Sequence, residues 1–209
     1  MLDQFHAHFE DGPFAGLPRG YFRVAHVDPP WTFHAWSHRG DGKGACQHYR
    51  CQSLEDIIAL PVDQLMAPDA ALFLWVVQPM LPEALQVIRA WGFEYRTVAF
   101  VWNKMPASWS ADQLPLRIKP RMGLGYHTRS GTEQCWLALR GKGYVGGHSS
   151  AHAARSIVNA DFHAKDLVDA LFDGLHIAGK EFGLLVDLLD RAVEDLVGEG
   201  VHADLGLLA

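Results

Sequence analysis

Short hydrophobic runs rich in β-forming residues recur along the chain, and helical patterns separate them. Five of these runs predict strands, at residues 21–27, 71–77, 96–102, 134–139 and 156–158. The run at 71–77 is apolar almost throughout, which is typical of a strand buried on both faces of a sheet.

Four further segments have the hydrophobic spacing of helices. The first begins at Ser53, whose hydroxyl can cap a helix with Asp56 three residues on, ahead of an Ile-Ile pair. The second covers residues 82–91, and Gly92 follows it as a natural residue just past a helix end. Two amphipathic segments predict helices at 165–172 and 184–197.

The alternation of strands and helices predicts an α/β fold with a mostly parallel sheet and helices on both faces. No linker divides the chain, so residues 1–209 are expected to form a single domain. Two long Gly- and His-rich gaps, at 32–52 and 103–132, interrupt the pattern. Loops of that length in a compact domain usually carry function.

The composition is that of a globular protein with a hydrophobic core. Hydrophobic residues make up 49% of the 209 positions and charged residues 20%, which excludes disorder as the main state. No apolar run approaches the roughly 18 residues of a membrane span, and the N-terminus lacks the layout of a signal peptide. We therefore expect a soluble cytoplasmic protein without a membrane partner.

The charge is unevenly distributed. The net charge of −6 argues against a protein held to nucleic acid by bulk charge alone. Residues 94–160, however, hold 9 basic and 3 acidic residues (+6), whereas residues 161–209 hold 3 and 11 (−8). The middle of the chain is thus a basic segment that can face nucleic acid.

The three cysteines do not form a recognisable framework. Cys46, Cys51 and Cys135 are too few and too unevenly spaced for a set of disulfides, so free thiols are expected. Cys46, His48 and Cys51 could instead belong to a zinc-dependent regulator, but no second pair of ligands follows them. We predict no metal site.

The tetrapeptide Asp28-Pro29-Pro30-Trp31 directly follows the first strand and should lie at the sheet edge where α/β proteins bind ligands. Asp28 offers acceptor oxygens, the carbonyl of Pro29 a further acceptor, and Trp31 a flat apolar face. This set can clamp a planar group that carries an exocyclic amine. The alternative is an ordinary strand-ending turn with a buried Trp.

Several further motifs lie in register with this tetrapeptide. From about residue 12 to 145 the chain resembles the DPPW-type adenine N6-methyltransferases, the family of the seventy-kilodalton subunit of the mRNA adenosine methyltransferase, with short bacterial and phage members. The matching segments, in family order, are 22–31, His48-Tyr49, 53–62, 72–76, 90–93, 101–104, 125–129, Glu133 and 139–141.

The resemblance implies a single Rossmann-like methyltransferase domain that uses S-adenosylmethionine to methylate the N6 amino group of adenine in nucleic acid. Asp28, Pro29, Pro30 and Trp31 are then the expected catalytic residues, with Asp28 and Pro29 also at the cofactor. The two acceptors would draw the amino hydrogens toward themselves and aim the nitrogen lone pair at the methyl group, while Trp31 would stack on the base.

Basic residues interleaved with aromatic ones suit a single strand or a flipped base. The expected substrate-binding residues are Tyr49, Lys104, Tyr126 and Arg129. The alternative for any single basic residue is a solvated surface charge.

The resemblance weakens toward the C-terminus. His163 and Lys165 match part of a His-Ser-x-Lys-Pro turn that grips the cofactor in the family, and the acidic helical tail at 161–209 diverges. The leading hypothesis is a bacterial or phage DNA adenine methyltransferase. The alternatives are an RNA adenine methyltransferase and a catalytically silent, nucleic-acid-binding partner subunit. A homodimer or a partner subunit could supply sequence specificity.

Overall fold

A computed structural model describes residues 7–32, 51–106, 128, 130–143 and 156–161. These residues form five strands, β1 (Phe22–Val27), β2 (Met66–Val76), β3 (Glu94–Met105), β4 (Thr132–Arg140) and β5 (Ile157–Asp161). The same described residues form three α-helices, α1 (Leu54–Ala59), α2 (Val62–Leu65) and α3 (Leu81–Ala90), and a 3-10 turn (Gln78–Met80). The helices predicted at 165–172 and 184–197 lie outside the described residues.

The sheet is mixed, with strand order β1-β2-β4-β3-β5. β1 pairs with β2 and β3 pairs with β5 in parallel, whereas β4 is antiparallel to both β2 and β3. The expected α/β class is confirmed, and four of the five described strands run in the same direction, with β4 antiparallel to them. Hydrophobic patterning reports which residues are buried and carries no information on strand direction, so it could not show β4 inserted between two parallel neighbours.

All five predicted strands are present, and four of them are longer than predicted. β2 begins at Met66 rather than at 71, because the chain pairs with β1 despite Pro68 and Asp69. The register between β1 and β2 is irregular over this stretch, which accommodates a proline that cannot donate to the ladder.

The helices begin and end where their caps require. The hydroxyl of Ser53 accepts from the backbone N–H of Asp56 at 3.1 Å, as predicted for the start of α1. Gly92 follows α3 with φ at 78°, a left-handed conformation that glycine adopts without strain. Neither α2 nor the 3-10 turn was predicted, since each is a single short turn with little periodicity. Within the described ranges no helix is long and apolar enough to cross a membrane.

The two faces of the sheet are buried in different ways. On the first face, alternate residues of β2 such as Leu72 and Leu74 join one core cluster with Ile57 of α1 and Ile88 of α3. The second face carries His26 and a set of aromatic rings. Its described ring contacts are Phe73 with Phe100, His26 with Trp75, and Trp75 with Trp102.

The register brings several chain ends to one edge of the sheet. Val76 of β2 and Val101 of β3 both pair with Gln134 near the start of β4. The carboxyl ends of β1, β2 and β3 therefore meet the first residues of β4 at the same edge. This carboxyl edge holds the tetrapeptide that begins at Asp28.

Candidate active site at the carboxyl edge

The Asp28–Trp31 turn presents one polar side chain and buries the rest. Asp28 is exposed, whereas Pro29, Pro30 and Trp31 are buried. The backbone N–H of Trp31 donates to the carbonyl of Pro29 at 2.8 Å, and the N–H of Gln52 donates to the carbonyl of Pro30 at 2.9 Å. The Pro29 carbonyl, which we expected to accept from a ligand, thus already accepts one hydrogen bond within the turn and keeps a second lone pair.

Trp31 lies in the core and is 2% exposed. Its ring packs into the first-face cluster, and its indole N–H donates to the backbone carbonyl of Trp75 at 3.1 Å. The ring therefore has no open face in this structure, and stacking on a base would require it to be uncovered. The buried Trp, which the sequence left as the alternative, is the conformation observed.

Asp28 lies at the carboxyl edge, on the second face of the sheet. Side chains alternate along β1, so Val24, His26 and Asp28 share one face. The pKa of the Cys135 thiol on β4 is raised well above its usual value, first by burial and then by the charge of Asp28. Asp28 thus sits within electrostatic reach of the centre of the sheet as well as in contact with solvent.

A buried imidazole lies two residues before Asp28. His26 is 4% exposed, and its Nε2 accepts a hydrogen bond from the indole N–H of Trp75 at 2.5 Å. Burial lowers the pKa of His26 from 6.5 to about 3, so the ring is neutral at physiological pH. Because Nε2 accepts, the ring proton lies on Nδ1.

Sequence reasoning missed this role of His26. The signal was nevertheless present, because a histidine at an inward position of an apolar strand requires a hydrogen-bonding partner. The four tryptophans that stand in apolar runs of the sequence are buried, namely Trp75, Trp91, Trp102 and Trp136.

Lys104 reaches the same edge from the end of β3. Its ammonium pairs with the carboxylate of Glu133 and lies 4.7 Å from the centre of the Trp102 ring. The two charged side chains are 20% and 27% exposed. Lys104 was predicted to contact substrate. In the structure its charge is already satisfied by an ion pair and by an aromatic face, and Glu133 received no role in the prediction.

A hydrogen bond between two neutral side chains joins the end of β2 to the start of β4 at the carboxyl edge. The side-chain amide of Gln78 donates to the hydroxyl of Thr132 at 3.2 Å, and both residues are at least partly accessible. The hydroxyl of Ser130 donates to the carbonyl of Thr132 at 2.8 Å. These polar groups stand at the carboxyl edge, and the sequence did not single them out.

Several predicted site residues lie outside the described part of the chain. They are Tyr49, Tyr126, Arg129, His163 and Lys165, together with Cys46 and His48 of the zinc alternative. Cys51 is disulfide-bonded, so the prediction of a free thiol at this position is wrong, whereas Cys135 is a free, buried thiol. Among the described residues no group of three His, Cys, Asp or Glu side chains could hold a metal ion.

Residues 22–163 of the chain match the MT-A70 family. The chain belongs to this family. The matched region starts at β1, contains the Asp28–Trp31 turn and every strand of the sheet, and extends past residue 145, where the sequence resemblance was expected to fade. The resemblance to the DPPW-type adenine methyltransferases is thereby confirmed.

The MT-A70 chain is also similar to a bacterial protein, the Type II methyltransferase M.MunI of Mycoplasma sp. The two are 32% identical over a region that covers 46% of this chain and 47% of the relative. The chain thus spans about half the length of the curated relative that it matches.

Proposed function

We propose that this protein transfers a methyl group from S-adenosylmethionine to the N6 amino group of adenine in DNA. The observation that carries the proposal is the turn after β1, where Asp28 alone of the tetrapeptide is presented to solvent above three buried residues. Membership of the MT-A70 family and similarity to a Type II methyltransferase support the same chemistry.

Asp28 is the residue whose chemistry fits both partners of such a reaction. The bound cofactor supplies an electrophilic methyl group on a cationic sulfur. The carboxylate of Asp28 is an anionic acceptor at an open edge of the sheet, so it can balance positive charge and accept hydrogen bonds from an amine.

The amino group of adenine is a weak nucleophile because its lone pair is delocalised into the ring. An acceptor at Asp28, with the second lone pair of the Pro29 carbonyl beside it, draws the two amino hydrogens out of the ring plane. The lone pair then points away from these acceptors, toward the methyl donor. Alignment of this kind supplies most of the acceleration, and the carboxylate stabilises the developing ammonium. The nitrogen–carbon bond forms as the carbon–sulfur bond breaks, the neutral thioether leaves, and the methylated ammonium then releases one proton to water.

The rigidity of the turn makes this arrangement possible. Pro29 and Pro30 restrict the backbone, and the hydrogen bonds of Trp31 and Gln52 hold it on both sides. A carboxylate on such a turn loses little freedom when it binds substrate. In this role Pro30 and Trp31 act by holding Asp28 and Pro29 in place.

The substrate-facing and cofactor-facing residues beyond this turn remain part of the proposal. Tyr49, Lys104, Tyr126 and Arg129 are assigned to the nucleic acid, and His163 and Lys165 to the cofactor. The net charge of +6 over residues 94–160 supports a polyanionic substrate. DNA is favoured over RNA because the relative is a bacterial Type II methyltransferase. We place the protein in the cytoplasm of a bacterium or a phage-infected host.

A second candidate function is that of a catalytically silent partner subunit that binds nucleic acid. The observation in its favour is that the family match ends at residue 163, so that the acidic C-terminal segment after it is not matched. Such a subunit would keep the sheet and the basic segment but would not bind the cofactor.

Methyl transfer to defined oligonucleotides distinguishes the two candidates. The purified protein is incubated with labelled S-adenosylmethionine and with duplex DNA, single-stranded DNA or RNA that contains adenine. We expect N6-methyladenine in DNA and a loss of about 10²–10³-fold in Asp28→Asn, which keeps the shape of the side chain but removes its charge. Asp11→Asn makes the same change at an exposed residue outside the site and is the matched control.

The alternatives predict different results. An absence of both label transfer and calorimetric cofactor binding, with binding of the oligonucleotide retained, would support the silent subunit. Label transfer confined to RNA would change the substrate class. Full activity in Asp28→Asn would show that the chemistry does not depend on this carboxylate.

A further inference from the structure

Two hydrogen bonds link the Asp28–Trp31 turn to β2 and back to β1. The indole N–H of Trp31 donates to the backbone carbonyl of Trp75 at 3.1 Å. The indole N–H of the same Trp75 donates to Nε2 of His26 at 2.5 Å. All three side chains are 6% exposed or less. One residue of β2 therefore contacts the chain on both sides of Asp28.

The register of the two parallel strands explains why Trp75 can do this. His26 pairs with Phe73, so Trp75 lies two residues closer to the carboxyl edge on the neighbouring strand. Its side chain leans along the second face toward His26, and its carbonyl receives the indole of Trp31 from the first-face cluster. Trp75 is thus hydrogen-bonded both to His26, which precedes Asp28 in the chain, and to Trp31, which follows it.

We propose that His26 and Trp75 are positioning residues, which hold the Asp28–Trp31 turn where its carboxylate meets the substrate. The inference rests on the proposed methyl transfer for its kinetic consequence. His26 does not touch the reacting groups. It acts through the hydrogen bond that orients the Trp75 indole, and Trp75 acts through Trp31. Reacting groups need to be held within about 0.5 Å of their productive positions, so a small rotation of this turn is enough to impair transfer.

The choice of histidine agrees with this role. The residues on either side of His26, Ala25 and Val27, are apolar and buried, and an apolar residue at position 26 would bury the same surface. What an apolar residue cannot supply is an acceptor for the Trp75 indole, whose buried N–H would then have lost a partner. A neutral imidazole supplies that acceptor without burying a charge.

The test compares two substitutions of His26. His26→Gln keeps an acceptor oxygen at about the reach of Nε2, whereas His26→Leu keeps the bulk and removes the acceptor. Methyl transfer is measured well below the unfolding temperature of each variant. We expect His26→Leu to lower kcat about tenfold with KM for the oligonucleotide changed less than twofold, and His26→Gln to restore most of kcat. A kcat for His26→Leu equal to that of the wild type would overturn the inference.

Hydrogen exchange of the indole N–H groups gives a readout that does not require activity. In ¹⁵N-Trp protein, His26→Leu should speed exchange at both Trp75 and Trp31, and His26→Gln should not. Trp91 is the internal control, because its indole is also buried but donates to the carbonyl of Ile57. An unchanged exchange rate of the Trp31 indole N–H in His26→Leu would refute the inference that His26 acts on Trp31 through Trp75. An equal acceleration at Trp91 would refute it as well, because the effect would then be general.

The two readouts keep this inference separate from the proposed function. An active wild type with unchanged Trp31 exchange in His26→Leu would leave methyl transfer standing and refute the positioning role. An inactive wild type would refute the proposed function, and the exchange rates of Trp31 would then decide by themselves whether His26 and Trp75 hold the turn.

Discussion

Trp31 donates its indole N–H to the backbone carbonyl of Trp75, and the two atoms are 3.1 Å apart. This bond ties a turn that follows β1 to the last residues of β2. Trp31 is the final residue of the tetrapeptide that carries the proposed chemistry, and it is almost completely buried. A residue expected to cover a substrate base therefore anchors the backbone of the proposed site in this structure.

The anchor is tested by Trp31→Phe, which keeps an aromatic ring and removes the indole N–H. The Trp75 carbonyl loses this donor, so the free energy of unfolding should fall by about 1–3 kcal/mol in urea titrations. Methyl transfer per folded molecule should fall as well, because the turn is released.

The control for this experiment is Trp91→Phe, which also removes a buried indole hydrogen bond, here to the carbonyl of Ile57 at 3.2 Å. It should cost similar stability and leave methyl transfer per folded molecule unchanged, since the indole of Trp91 donates to the carbonyl of Ile57 and not to a residue of the Asp28–Trp31 turn. A similar loss of activity in both variants would show that Trp31 has no specific link to the site.

The buried imidazole of His26 predicts a pH dependence of stability. Its pKa is lowered from 6.5 to about 3, so between these values the unfolded chain binds a proton that the folded chain does not. The contribution of His26 is complete above pH 6.5 and is lost as the pH falls toward 3. Each pH unit in this window costs about 1.4 kcal/mol, which gives about 2 kcal/mol between pH 6.5 and 5.

The His26 contribution is isolated by comparison with His26→Gln, which has no titrating group at this position. Urea unfolding at pH 7 and pH 5 should show a loss of stability about 2 kcal/mol larger in the wild type than in the variant. Equal losses would mean that His26 becomes protonated inside the folded protein, and hence that its hydrogen bond to Trp75 is not maintained.

The strands were predictable because burial leaves a direct trace in the sequence. β2 is the clearest case, since the run from Ala70 to Val76 is buried on both faces and apolar throughout. Strand direction leaves no such trace, and β4 was therefore placed only by the structure. The start of β2 was missed because Pro68 and Asp69 disfavour a strand locally, and pairing with β1 overrides that preference.

The sequence indicated which residue types form the candidate site but not how they pack. An acidic residue after an apolar strand in an α/β pattern indicated the position of Asp28. The same residue types allowed Trp31 to be either a stacking face or a core residue, and only packing decides between these. His26 and Glu133 were missed because their roles depend on partners, Trp75 and Lys104, that lie on other strands.

The ion pair of Lys104 and Glu133 predicts how the protein responds to a polyanion. In the structure Glu133 neutralises the ammonium that we assign to substrate phosphate. Glu133→Gln removes this competition, so DNA binding should tighten at low salt. The slope of log K against log salt should become steeper by about 0.9, the value for one additional phosphate contact. Fluorescence anisotropy of a labelled duplex at several salt concentrations measures both the affinity at low salt and the salt slope.

The double variant Lys104→Gln/Glu133→Gln shows whether the gain passes through Lys104. It should bind with the salt slope of Lys104→Gln alone, because no ammonium remains to be released. A steeper slope in the double variant would assign the effect to the general loss of a negative charge near the DNA.

The connection that follows β4 predicts an unequal cost for two similar glycine substitutions. Gly141 has a positive φ of 58°, and a Cβ there would collide with the Asp69 carboxylate and the Pro68 carbonyl. That carboxylate accepts a hydrogen bond from the backbone N–H of Lys142 at 2.8 Å, so it cannot move away without losing the bond. Gly92 also has a positive φ, of 78°, but a Cβ there has its nearest neighbour at 4.0 Å.

Gly92→Ala should therefore cost about 1 kcal/mol of unfolding free energy from backbone strain alone. Gly141→Ala should cost at least about 2 kcal/mol more, since it adds a clash and a broken hydrogen bond between the connection and β2. Urea unfolding of the two variants decides the matter, and equal costs would show that the contact between Gly141 and Asp69 is loose in solution.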